Sequence, residues 1–168
     1  MNTTNNIKHL RCILGIDPGL SGAIALYDPD TGDLDVWDMP VHAITVNGKK
    51  KNQLDLYQLG TLIDTIAPKV KMAFIEAVHS LPAQGVTSSF NFGFAAGAAQ
   101  GAVAANLIPM TLVAPATWKR AMRLTADKDV SRQRASQLMP KHAKHWPLVK
   151  HDGRAEAALL AWYGANQN

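Results

Sequence analysis

Cysteine occurs once in this 168-residue chain, as Cys12, so no internal disulfide can staple the fold. Such sparing use agrees with a reducing compartment and rules out cysteine-rich zinc modules. Long apolar runs are missing as well. The most apolar stretch, "FGFAAGAAQGAVAANLIPM", consists mainly of Ala and Gly and is broken by Gln100, Asn106 and Pro109, a poor membrane span. The opening residues, "MNTTNNIKHLR", are polar and lack the apolar centre of a secretory signal. There is no linker, repeat or low-complexity segment, and no GxxxxGK[ST] phosphate loop. The expectation is one soluble cytoplasmic domain over residues 1–168, long enough to bury a core, with no membrane attachment and no nucleotide cofactor.

Acids are scarce in one half only. Residues 85–168 hold four Asp/Glu against ten Lys/Arg, whereas residues 1–84 hold nine acids against seven cations. All ten cations of the second half lie between Lys119 and Arg154. Clustering of this kind suits a polyanion partner, and equally a solvated basic face.

Periodicity orders the elements. "RCILGID", "GAIALYD" and "DLDVWDMP" read as three meandering strands, the last two joined by the turn-rich "DPDTGD". "VHAITVNGKKKNQLD", with its Asn-Gly and three consecutive lysines, reads as a flexible hairpin or loop. Asp55 caps a helix that Pro68 stops; "KMAFIEAV" is a strand, and a long helix covers roughly 87–106. The strand "PMTLVA" leads into the helices "PATWKRAMRL" and "DVSRQRASQLM". An irregular "PKHAKHWPLVKH" precedes a last helix from Asp152. Three strands followed by alternating helix and strand predict an α/β fold, a mixed sheet with helices on its faces.

Four acids occupy places where burial costs most. Asp17 ends the first strand, before Pro-Gly, and Glu76 ends the fourth strand within an apolar run. Asp152 and Glu156 stand four apart on one face of the last helix. Convergence of the four would create a strongly repulsive cluster, which hard divalent cations neutralise. Two such ions, about 3.5–4 Å apart, can cleave a phosphodiester. Each acid also has a plainer reading: Asp17 as a turn-former, Asp152 as a helix cap, Glu156 as a solvent-facing partner of a cation.

Taken together, "ILGIDPGLSGAIAL", "AFIEAV", "GFAAGAAQGAVAA", "PATWKRAM" and "DGRAEAALLA" resemble, in order and spacing, the RuvC family of Holliday junction resolvases, closest to its phage-type branch. The resemblance spans nearly the whole chain. It implies a ribonuclease H-like mixed five-stranded sheet flanked by helices. It also implies a Mg²⁺-dependent homodimeric endonuclease, with two ions per site and Mn²⁺ able to substitute. Such an enzyme nicks opposed strands of four-way DNA junctions to leave 5′-phosphate and 3′-hydroxyl ends, in the cytoplasm of a bacterial cell or phage-infected host. Carried over by motif, Asp17, Glu76, Asp152 and Glu156 hold metal. Lys119 and Lys128 assist at the scissile phosphate, and His79 stands where the family stacks an aromatic at the junction centre. Arg120, Arg123 and Arg132 join Lys119 and Lys128 as the DNA-binding cations. The family's last pair is two aspartates three apart, whereas this chain offers Asp152 and Glu156; His151 competes with Asp152 for the third ligand position.

Phe90 and Phe94 share a helix face suited to core or dimer packing. Gly93, Gly97 and Gly101 bare one side of that helix, either for the chain's own sheet or for the dimer that the resemblance implies. His142 and His145, in a basic loop, suit phosphate contact or solvation. Three rival readings remain. An actin-like ATPase or sugar kinase would also open on "GIDPGLSGA", but 168 residues hold one such domain and not the required pair. The others are a junction binder without catalysis and a related nuclease acting on flaps, forks or RNA-containing duplexes.

Overall fold

The computed structural model describes residues 10–77, 85–125 and 128–167. Five of its seven strands form the expected mixed sheet. These are β1 (Cys12–Asp17), β2 (Ala23–Tyr27), β3 (Leu34–Asp38), β6 (Val70–Glu76) and β7 (Met110–Val113), in the spatial order β3-β2-β1-β6-β7. The first three pair antiparallel through short turns, while β6 and β7 run parallel to β1. Both parallel neighbours need crossovers, and helices supply them. The remaining strands, β4 (Val41–Val46) and β5 (Lys49–Leu54), pair only with each other. Thus "VHAITVNGKKKNQLD" is an ordered hairpin turning on Asn47-Gly48.

Strand parity assigns the two faces of the sheet. Cys12, Leu14 and Ile16 of β1, with Ala73 and Ile75 of β6, face α1 (Leu56–Ile66) and α2 (Val86–Ala105). Ile13 of β1 and Phe74 of β6 face the opposite way, onto α5 (Asp152–Ala165). Asp17 and Glu76 share that second parity, so both carboxylates are aimed at the α5 side. Two short helices, α3 (Pro115–Ala121) and α4 (Lys128–Leu138), complete that layer. Asp55 caps α1, accepting from the Gln58 backbone N–H at 3.0 Å.

α5 is apolar almost all round because sheet and α4 enclose it; Ala155, Ala157, Ala158, Leu159, Leu160 and Ala161 are buried. Gly15 sets how closely it lies on β1, since a Cβ there would sit 2.2 Å from the Ala157 carbonyl oxygen. At its N-terminal end α5 is tied to β3. Arg154 Nε and Nη2 each donate to the Asp38 carboxylate at 2.6 Å, and Nη1 donates to the His145 carbonyl at 3.0 Å.

Several expectations need correction. α3 stops at Ala121 rather than running to Leu124, closed by a Schellman motif in which Arg123 adopts the left-handed conformation (φ 58°). Leu124 N–H donates to the Lys119 carbonyl at 2.8 Å and Arg123 N–H to that of Arg120 at 3.0 Å. Phe90 and Phe94 are not core residues: they are 69% and 42% exposed, because α2 buries its opposite side through Ala95, Ala96, Ala99 and Val103. For the same reason Gly93, Gly97 and Gly101 face open space and not the chain's own sheet. His142 is not a free loop side chain, since its Nε2 lies 2.8 Å from the Gly32 carbonyl oxygen. Asp152 is the first residue of α5, and the capping position falls to His151. Among the described residues no helix is long and apolar enough to cross a membrane.

Candidate active site

Parallel pairing of β1 and β6 puts Asp17 and Glu76 at adjacent strand ends, with Ile16 beside Ile75 in register. α5 then brings its first two turns over them. Gly153 makes this approach possible: a Cβ there would lie 2.5 Å from the Ser21 carbonyl oxygen and 3.2 Å from Asp17 Oδ2. Three elements remote in sequence thereby converge on one carboxylate.

Asp17 is half-buried, and its one local donor is the Gly19 N–H, 3.4 Å from Oδ1. Burial first, then the nearby Glu156 and Glu76 charges, push its carboxyl up to about 7, against the opposing pull of Gly19 and Lys119. Glu76 is raised as well, mainly by burial and further by Glu156; Lys119 and a hydrogen bond from Trp118 restrain the rise. In that bond Trp118 Nε1 donates to Glu76 Oε2 at 2.8 Å. Glu156 accepts from Lys119 Nζ on both oxygens, at 3.2 and 3.1 Å, and from Ser131 Oγ at 3.0 Å.

Lys119 is the cation these acids share. Burial works against its charge, yet Glu156, Glu76 and Asp17 together outweigh burial and hold its pKa above the ordinary lysine value. Its ammonium also lies 5.1 Å from the ring centroid of Trp118, a cation–π distance. Asp152 is half-buried one turn before Glu156 on α5. His151 Nδ1 accepts from the Leu148 N–H at 3.3 Å.

The donor set fits a hard divalent cation in its chemistry. Asp17, Glu76 and Glu156 offer only oxygen, and burial first, with the neighbouring acids adding to it, raises Asp17 and Glu76. As the side chains stand, no three His, Cys, Asp or Glu among the described residues are gathered closely enough to ligate one ion. Lys119 holds both oxygens of Glu156 instead.

The other expected site residues distribute unevenly. Arg120 and Arg123 are exposed and line, with Lys119, Ala116, Leu124 and Thr125, an open groove of about 550 Å³. Lys119 thus belongs to both the acid cluster and the basic groove. Arg132 is largely covered: it pairs with Asp129, and its Nε is buried with no hydrogen-bond partner among the described residues. Lys128 opens α4, but its side chain lies outside the described residues, as does His79 entirely. Two contributors carry no signal of their own in the sequence. Trp118 was visible only as the neighbour of Lys119 in "PATWKRAM", although a buried indole needs an acceptor. Ser131, 3% exposed, is one of several serines and gains its meaning only from Glu156 beside it.

No protein-family model and no curated protein matches the chain. Solved structures do. Thermus thermophilus RuvC in complex with Holliday junction substrate is 17% identical, with 92% of this chain and 94% of that chain covered at a TM-score of 0.56. A second Thermus thermophilus RuvC structure is 18% identical, covering 91% and 95%, at a TM-score of 0.54. The five-stranded sheet and its flanking helices therefore have the RuvC, ribonuclease H-like fold.

Proposed function

We propose that this protein is a divalent-metal-dependent endonuclease that resolves four-way DNA junctions by paired nicks, leaving 5′-phosphate and 3′-hydroxyl ends. The observation that carries the reading is the meeting of Asp17, Glu76 and Glu156 around Lys119, at the mouth of an arginine-lined groove, in a RuvC-like fold. Asp17, Glu76, Asp152 and Glu156 would hold two Mg²⁺ ions, for which Mn²⁺ can substitute. When bound, they supply positive charge opposite a phosphodiester attacked by water.

The chain's own residues divide the remaining work. Trp118 and Ser131 orient Glu76 and Glu156 by donating to them. Lys119, which donates to Glu156 and also lines the groove, would face a phosphate at the groove's edge. Arg120 and Arg123 position the DNA backbone. Activity on two symmetry-related strands calls for a homodimer, and the open Gly97 and Gly101 support the C-terminal half of α2 as the contact, with Phe90 near the other end of the helix left outside it. By this reading the phage-type branch of the family is the nearest relation, and the bacterial cytoplasm is the place of action.

One observation favours the non-catalytic alternative: Glu156 accepts from Lys119 on both of its oxygens. Labelled four-way junction, flap and linear duplex, each without metal, with Mg²⁺ and with Mn²⁺, and with Asp17→Asn alongside, decide the matter. Paired ligatable nicks confined to the junction, lost without metal and in the variant, establish the resolvase. Tight junction binding without cutting in either metal establishes the binder, and cutting of the flap in preference establishes the related nuclease.

A further inference from the structure

The cleavage chemistry leaves the lysine hairpin unused. β4 and β5 stand beside the main sheet and not within it. Their turn residues, Asn47 and Gly48, both have positive φ (50° and 73°), the geometry that matches strand twist in a tight hairpin. Directly after the turn, Lys49, Lys50 and Lys51 are exposed, and among the described residues none of the three is in an ion pair. Alternation sends Lys49 and Lys51 to one face of the hairpin and Lys50 to the other.

The face bearing Lys51 closes a groove of about 310 Å³ against the N-terminal end of α2, lined also by Leu20, Ile44, Gln53, Phe90 and Phe94. Leu20 belongs to the turn that follows Asp17. The α2 end touches that same turn, since a Cβ on Gly19 would lie 3.8 Å from Phe92 Cε2. The groove therefore begins beside the carboxylate cluster and leads away from it to the lysines. Phe90 and Phe94 stack on each other along its α2 wall, with centroids 6.5 Å apart and planes within 13°. Exposed aromatic rings bordered by unpaired cations match a nucleic-acid strand on both counts, phosphate charge and base stacking.

We propose that the β4–β5 hairpin and Phe90 form a second DNA-contacting surface, taking a strand that leaves the carboxylate cluster. Lys49 and Lys51, on the groove side of the hairpin, meet its phosphates, and Phe90 stacks on an unpaired base. The inference rests on the nuclease reading above. A second copy of the chain is the rival occupant of the aromatic pair. Lysines at the rim oppose it, because a two-fold contact centred on the hairpin would set like charges against each other.

The test is junction binding by the full chain in EDTA, which stops cutting, across about 50–200 mM salt. Each lysine engaged on a phosphate contributes about 0.9 to the slope of log affinity against log salt. Replacing Lys49, Lys50 and Lys51 together by Gln should reduce that slope by ~2, from the two lysines on the groove face, and weaken binding at least about tenfold near 100 mM salt. The corresponding triple Arg variant should bind like wild type, which separates charge from folding. Phe90→Ala should weaken binding to a junction carrying unpaired bases more than to a linear duplex. Wild-type affinity and slope in the Gln variant, with wild type binding junctions normally, overturn the hairpin surface alone. A variant that alters sedimentation but not the salt slope overturns it in favour of a second copy. Failure of the wild type to bind branched DNA removes the nuclease reading and this inference with it.

Discussion

Replacing Asp17 by Asn removes a carboxylate that the fold holds at a cost, and the cost can be read from its surroundings. The ordinary aspartate value is 3.8, and burial with the Glu156 and Glu76 charges raises it to about 7 in the folded protein. Between those two values the native state binds more protons than the unfolded chain, so stability falls as pH rises through the window. About three pKa units at ~1.36 kcal/mol each set a ceiling of ~4 kcal/mol. Asp17 is only half-buried, and relaxation with shared water should bring the effect to about 2 kcal/mol. Asn removes this charge while keeping the shape, and the 3.4 Å bond from Gly19 is too long to offset the gain. In EDTA, Asp17→Asn should therefore match wild type near pH 4, gain stability up to about pH 7 and hold the gain above it. At pH 8 the difference should appear as a rise of roughly 4–8 °C in Tm. Added Mg²⁺ should reverse the order: a cation at one hundred times its Kd stabilises wild type by ~2.7 kcal/mol and the variant far less. Urea titrations at several pH values, with EDTA or Mg²⁺, measure both effects. A pH-independent difference, or a less stable variant at pH 8 in EDTA, would refute the repulsive cluster.

Other substitutions probe the same geometry. Trp118→Phe keeps the ring but removes the donor to Glu76; single-turnover cleavage should slow about tenfold while junction affinity stays unchanged, as loss of one charge-assisted hydrogen bond predicts. Arg154→Ala should cost about 1 kcal/mol at pH 7 by urea unfolding. The Arg154 hydrogen bond, aided by its charge, holds Asp38 below the ordinary carboxylate value, so that contribution is present above pH 3.8 and lost as pH falls through the folded value; wild type and variant should converge in acid. Arg123→Gly relieves a left-handed non-glycine residue and should stabilise by about 1 kcal/mol, while weakening DNA binding and lowering its salt slope by about one. Thermal melts and salt titrations read the two effects separately.

Local signals revealed most elements in advance, because apolar runs, caps and turn residues act over a few positions. "RCILGID" and "AFIEAV" became strands for that reason, and Asn47-Gly48 turned a hairpin. What lay beyond reach was long-range pairing. Nothing near Asp17 says that β6 will be its neighbour, since a parallel pair is joined only through distant chain. Trp118 and Ser131 went unnoticed for the same reason, as each acquires a role only when β6 or α5 arrives beside it. His142 was misread because its partner, Gly32, is 110 positions away. Helix α2 misled differently: its small residues line both sides, and spacing alone cannot say which side meets the sheet.

Strand alternation aims both carboxylates. In β1, burial by α5 requires residues 13 and 15 to face one way, and residue 17 follows them; in β6, residues 72 and 74 impose the same direction on residue 76. A carboxylate at either end is therefore aimed at α5 by the same alternation that packs the core. The helix can come close enough to answer because glycines stand at 15 and 153, where a Cβ would meet backbone at 2.2 and 2.5 Å. The acid cluster is thus a consequence of core packing at one end of the sheet. Lys119 offsets the mutual repulsion of the cluster. A shift of one residue in either strand would turn its carboxylate toward α1 and α2, away from Lys119 and α5.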